Sequence, residues 1–361
     1  MRTVFLTGFP GFLGSALVER LLDRYDENTT VTCLVQAAFR DEAERRRAAI
    51  EADRNVDGRI EFVEGDLVEA DLGLGEAYEP LRAETVEVYH LAAIYDLTMD
   101  REPGKAVNIE GTRHVLDFAE KVDDLDRLQY VSTVVVSGRY DGEFTEAMLQ
   151  EGQTFSNYYE TTKHAAETLV RNRMDGIPTT VYRPGVAVGD SETGETHKYD
   201  GPYAFLDALT DQGNTAVIPA PRGAGDAEFN LVPRDYVVDA IAYLSDIEES
   251  EGKVYQLADP DPPATVELIK AFGDALGKDR TVIVPYPKGI VKGVLASFAP
   301  DSDLLKSGGL EYQTWSASFD CSNALADLEG SGVEPPRFDE YVDALVDFYV
   351  DHPEIDERGM N

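Results

Sequence analysis

The chain has 361 residues, 43% hydrophobic and 28% charged, which suits a soluble protein with a sizeable core: one large α/β domain, or a nucleotide-binding domain with a second lobe. Its 69 acids against 32 lysines and arginines leave a formal net charge of −37, which disfavours nucleic acid and anionic membrane as partners because phosphate contacts need basic patches. The acids are spread along the chain, as at Asp123-Asp124 and Glu248-Glu249, and are not gathered in a tail. That pattern predicts a folded surface that repels itself unless salt screens it, and so a salt-adapted source.

In chain order, an apolar strand is predicted at 4–7, then a helix at 12–25 with Leu13, Leu17, Leu21 and Leu22 on one side. A strand at 30–35 precedes an exposed, Arg- and Glu-rich helix at 41–53, and further strands follow at 60–63 and 86–91. A helix at 104–122, a strand at 128–132, a helix at 156–174 and a strand at 179–183 complete the alternation. Strands joined by crossover helices predict the α/β class, a Rossmann-type doubly wound parallel sheet. Past Gly189 the pattern breaks, and 190–228 is rich in Gly, Pro and polar residues. Strand, helix and strand patterns resume at 229–232, 236–244 and 254–257, and the chain from Asp259 reads as mostly helical, ending in the amphipathic segment 338–350. The expected organisation is a nucleotide-binding domain over 1–190, to which 224–258 returns. A smaller, mostly helical substrate lobe would fill the rest of 191–361, mainly 191–223 and 259–361.

Cys33 and Cys321 offer neither a disulfide framework nor a metal motif, and the five histidines are scattered, so no metal is expected. The opening residues run directly into a strand and the apolar stretch 289–299 is too short to cross a bilayer, which predicts a cytoplasmic protein.

Thr7-Gly8-Phe9-Pro10-Gly11-Phe12-Leu13-Gly14 sets three glycines at spacing three between a strand and a helix. Gly8 permits a tight turn, Gly11 a close backbone approach to a pyrophosphate, and Gly14 the packing of helix on sheet. The helix N-terminus then offers amide donors to the anion. This spacing resembles the TGxxGxxG of extended short-chain dehydrogenases/reductases, and the resemblance recurs along most of the chain. It implies that the whole loop, Gly8 to Gly14, holds NAD(P), that Asp66 and Leu67 of Gly65-Asp66-Leu67 meet the adenine, and that Leu91, Ala92 and Ala93 lie beside the ribose. Asn108, in Asn108-Ile109-Glu110-Gly111-Thr112, would hold the active-site architecture, and Pro184, Gly185 and Val186 would meet the nicotinamide carboxamide.

Tyr159 and Lys163 lie four apart on a predicted helix and so share a face, whereas Tyr158 points about 100° away. A free phenol titrates near about 10. A nearby ammonium and the nicotinamide's positive charge are expected to lower that value, so that Tyr159 exchanges a proton with a carbonyl or alcohol as hydride moves. In the family the Lys also holds the nicotinamide ribose. Ser132-Thr133-Val134-Val135-Val136-Ser137-Gly138 resembles the family's S-T-x-x-V-x-G, which implies Thr133 as the carbonyl-polarising hydroxyl, with Ser132 as the back-up.

The run Arg183-Pro184-Gly185-Val186-Ala187-Val188-Gly189-Asp190 lacks the Asn-Val-Tyr-Gly-Pro pattern of sugar-nucleotide epimerases and resembles the branch of thioester and fatty acyl reductases. Reduction of a carbonyl or acyl-thioester group on a small molecule is therefore expected. A nucleotide-sugar epimerase or dehydratase is the alternative, and a non-catalytic NAD(P)-binding regulator the alternative of another class. The second strand ends Leu34-Val35-Gln36 without an acid, and Arg40 lies close by, which favours NADP, with NAD possible. In many relatives the helices corresponding to 104–122 and 156–174 pair between subunits, which suggests a homodimer. His197, Tyr203, Arg222 and Trp315 are candidates to face a substrate pocket, with packing or surface roles as the alternative.

Overall fold

The computed structural model describes residues 2–287 and 309–355, so the apolar stretch 289–299 lies outside the described residues. Seven strands make one parallel sheet: β1 (Arg2–Thr7), β2 (Thr29–Val35), β3 (Ile60–Glu64), β4 (Thr85–His90), β5 (Arg127–Val131), β6 (Thr179–Pro184) and β7 (Val254–Leu257). Their order is β7-β6-β5-β4-β1-β2-β3, so the chain reverses direction across the sheet between β1 and β4. In doubly wound sheets that crevice, at the carboxyl ends of the strands, is where ligands bind. Strands buried on both faces need helices on each side. On one face α1 (Phe12–Arg24) meets the later α8 (Arg234–Leu244) over a core that includes Leu17, Leu21, Val237 and Ile241. On the other, Val115, Phe118 and Val170 pack against Phe5 and Val88.

The remaining sheet-side helices are α2 (Arg40–Arg54), α3 (Tyr78–Glu84), α4 (Arg101–Gly104), α5 (Thr112–Ala119) and α6 (Tyr158–Arg171). The helix expected at 104–122 begins at Arg101 and passes through a π-helical segment, Lys105–Gly111, between α4 and α5. Such a widened turn displaces one residue's side chain and recurs at functional sites. Here it carries Asn108, which is buried.

After β6 a second core forms from α7 (Tyr203–Thr210), α9 (Thr265–Ala275) and α11 (Phe338–Asp351), joined by Phe229 and Leu231. Two strands not read from the sequence, Thr215–Pro221 and Arg280–Tyr286, pair in parallel beside it. Prolines at 219, 221 and 285 hid them, but a two-stranded ribbon leaves each strand an outer edge, where a missing N–H is tolerated. The segment Ala317–Phe319 pairs with Gly142–Phe144, and α10 (Ser322–Leu328) buries Ala324 and Leu328 in the sheet-side core. Among the described residues no helix is long and apolar enough to cross a membrane.

Candidate active site

The carboxyl ends of β1, β4, β5 and β6 open onto one cavity of about 360 Å³. Gly8, Gly11, Phe12, Leu13 and Gly14 line it on the β1 side, Leu91, Ala92 and Ala93 after β4, Ser132 and Thr133 after β5, and Pro184, Gly185 and Val186 after β6.

At the loop, Gly8 has φ 105°, in the left-handed region that side chains avoid, and a Cβ there would lie 2.9 Å from the Ala92 nitrogen. A Cβ on Gly11 would lie 2.7 Å from the Gly8 carbonyl oxygen. No side chain caps the N-terminus of α1, so its first amides face the cavity with their donors available. A bare backbone cradle at a helix start fits the pyrophosphate of a dinucleotide. Thr7 and His90 brace the cradle: the Thr7 hydroxyl meets His90 Nδ1 at 2.7 Å and accepts from the Ala92 amide, and His90 Nε2 meets the Thr112 hydroxyl at 3.0 Å. Burial, then the charge of Lys163, lower the His90 pKa to about 3, so the ring is a neutral strut.

Not every residue expected at the cofactor lines the cavity. Phe9 is buried and stacks on Phe62, and Pro10 accepts a hydrogen bond from Ser15. Gln36 precedes a 3-10 turn, Ala37–Phe39. Arg40 makes a two-pronged contact with Glu44 at 3.0 and 2.8 Å and lies over the Phe62 ring. Asp66 accepts from the Val68 amide, and the Leu67 carbonyl meets His114.

At the other end of the cavity, Asn157 caps α6 by accepting from the Glu160 amide, which fixes the helix start and hence Tyr159 and Lys163. Tyr159 faces the cavity, while Tyr158 is 47% exposed on the outer side. The Lys163 ammonium donates to the Val131 carbonyl at 2.9 Å and sits over the Tyr130 ring. Its pKa falls to about 8 because burial strips its water, although Glu167 opposes the shift. The expected lowering of the Tyr159 pKa is corrected here: burial pushes the phenol well up, a nearby Asp200 carboxylate adds to the rise, and only a hydrogen bond with Thr133 works against it. Ser132 is committed elsewhere, since its hydroxyl donates to Glu167 at 2.6 Å, whereas Thr133 is turned to the phenol. Asn108 holds the wall in place. It accepts from the Ile94 amide, returns a hydrogen bond to the Ile94 carbonyl and donates to Thr162 of α6.

Of the four candidates from the second lobe, Tyr203 lines the cavity. His197 lies against the edge of Phe12, and Trp315 donates to the Gly138 carbonyl. Sequence reasoning missed Tyr95, Thr196, Lys198 and Asp200, all of which face the cavity. The stretch 195–200 forms neither helix nor strand, so no periodic pattern could have signalled the three residues there.

The chain is 30% identical over 364 residues to a linear gramicidin synthase of Brevibacillus parabrevis, covering 96% of this chain and 7% of that protein. It is 28% identical over 312 residues to the carboxylic acid reductase of Mycobacterium tuberculosis, covering 78% of this chain and 26% of that one. The chain thus spans under a third of the length of either curated relative. The crystal structure of the terminal R domain from the myxalamid PKS-NRPS biosynthetic pathway superposes with a TM-score of 0.83 at 29% identity, over 98% of this chain and 91% of that one. The UDP-glucuronic acid 4-epimerase of Bacillus cereus in complex with NAD, at 18% identity and TM-score 0.67, shares the fold. Residues 6–241 match the family model described as male sterility protein, and the chain belongs to that NAD(P)-binding family of the extended short-chain dehydrogenase/reductase superfamily.

Proposed function

We propose that the chain is an NAD(P)-dependent reductase acting on the carbonyl of an aldehyde, ketone or acyl thioester. In this reading residues 1–190 and 224–258 hold the cofactor, and 191–223 and 259–361 bound the substrate. The observation that carries it is the meeting of Thr133, Tyr159 and Lys163 with the glycine cradle in one cleft.

A bound nicotinamide supplies hydride to the carbonyl carbon. Tyr159, kept protonated by burial, gives its proton to the carbonyl oxygen as negative charge builds there. The Thr133 hydroxyl, free of the Glu167 contact that occupies Ser132, donates to the same oxygen. Lys163 sits one helical turn from Tyr159, holds the ribose and supports the phenolate left behind. With a thioester, the same proton and hydride additions give a hemithioacetal, whose collapse expels the thiol and leaves an aldehyde.

NADP is the proposed form. No carboxylate follows Val35 to claim a ribose 2′-hydroxyl, and Arg40 needs only to exchange Glu44 for a 2′-phosphate. Reductases among the relatives support the reaction class.

The deciding experiment supplies NADPH or NADH with a panel of aldehydes and acyl thioesters. Tyr159→Phe is expected to lower kcat/KM by about 10²–10⁴-fold while nicotinamide fluorescence titration is unchanged. Full turnover by the Phe variant refutes the assignment.

A further inference from the structure

The segment carrying Thr196, Lys198 and Asp200 is neither helix nor strand, and all three of these residues line the cavity. Tyr199 faces inward, ring to ring with Tyr203 and Tyr349 in the second core, and its hydroxyl donates to the His352 carbonyl. Lys198 and Asp200 line the cleft, where they pair at 3.1 Å. The Lys198 ammonium also lies 5.9 Å from the centre of the Tyr95 ring, and Tyr95 packs edge-on against Tyr159 at 5.0 Å. The pair therefore stands one aromatic ring away from the proposed proton donor. The nearby wall is apolar, with Leu97, Val135 and Phe229.

The Lys198 and Asp200 side chains are 25% and 31% exposed, so the pair is reachable from the cleft. The two charges cancel, so an anion drawn to Lys198 meets Asp200, and a cation drawn to Asp200 meets Lys198. A neutral group with one donor and one acceptor satisfies both members without separating them: its N–H reaches the carboxylate, and its C=O receives an ammonium proton. The secondary amide is that group.

We propose that Lys198 and Asp200 form a specificity site for a secondary amide on the substrate, near the carbonyl that is reduced. This rests on the reductase reading. The amide has two chemical sources, the acyl chain or the thiol from which the acyl group is cleaved.

Two matched pairs of substrates separate them. The first compares an N-acetylamino aldehyde with an alkyl aldehyde of equal length. The second compares an acyl N-acetylcysteamine thioester with the ethyl thioester of the same acid. Wild-type protein is expected to favour the amide-bearing member of at least one pair by roughly tenfold in kcat/KM, the effect of two modest hydrogen bonds. The pair that discriminates identifies the source. Lys198→Met combined with Asp200→Leu leaves no unpaired charge, and should bring that ratio to about one with cofactor titration unchanged. Equal rates within both pairs, or a preference that survives the double variant, overturns the amide site. Reduction of no substrate in either pair overturns the reductase reading instead.

Discussion

Burial shifts the pKa of both Lys163 and Tyr159 in the cleft. Lys163 has its pKa lowered to about 8, so its ammonium is present below that value and is lost as pH rises through it. Cofactor affinity and kcat/KM should both fall above about pH 8, and a flat profile up to pH 10 contradicts the role given to Lys163. Tyr159 moves the other way, which suits a donor of protons. The choice of Tyr159 over Tyr158 was legible in the sequence because a spacing of four on a helix is a local property. The choice of Thr133 over Ser132 rests on physical ground visible only in three dimensions, for Ser132 is held by Glu167, 35 positions away. Lys198 and Asp200 were not legible for the same reason: they line the cleft from an irregular segment in which Tyr199 packs on Tyr349 of α11, 150 positions away.

Elements are locked to each other by a few buried charges. Glu167 of α6 meets Arg183 of β6 at 2.6 Å, both fully enclosed, and Arg171 joins them at 3.0 Å. This contact fixes the helix that carries Tyr159 and Lys163 against the sheet. Glu167→Ala leaves the Arg183 charge unpaired and should destabilise the fold by about 3–5 kcal/mol, read from denaturant unfolding. Glu146 ties α10 to β7 by accepting from the amides of Gln256, Asn323 and Ala324. Burial nevertheless pushes its carboxyl up to about 7. A carboxyl with a raised folded pKa holds its proton longer folded than unfolded. Its contribution is therefore complete below the unfolded value and is lost as pH rises through about 7. The stability of wild-type protein relative to Glu146→Gln should decline between pH 5 and 8 in paired unfolding curves, and a constant difference contradicts the argument. The helices and strands of the sheet were readable because their apolar periods are regular. The ribbon of Thr215–Pro221 and Arg280–Tyr286 was not, because proline reads as a strand breaker and only an edge position permits it.

The whole molecule places its cleft where the strand order turns, between β1 and β4, and closes it with a segment from the second core. A formal charge of −37 acts over the same scale. Carboxylates such as Asp53 and Asp261 have side chains over 80% exposed, so their mutual repulsion is open to screening by salt. The thermal midpoint is expected to rise from dilute buffer to molar KCl, and an unchanged midpoint removes salt adaptation from the account. Strand and helix periods, the three-glycine turn and the Tyr159–Lys163 spacing are short-range patterns, and from them the chain alone gave the parallel sheet and pointed to the glycine turn and to Tyr159 and Lys163 as one cluster. Three further matters were decided by folding: that Arg40 answers to Glu44, that Ser132 is taken by Glu167, and that Lys198 and Asp200 face Tyr95. Apart from the helical pair of Arg40 and Glu44, they depend on contacts between residues 35 to more than 100 positions apart, which local periodicity does not encode.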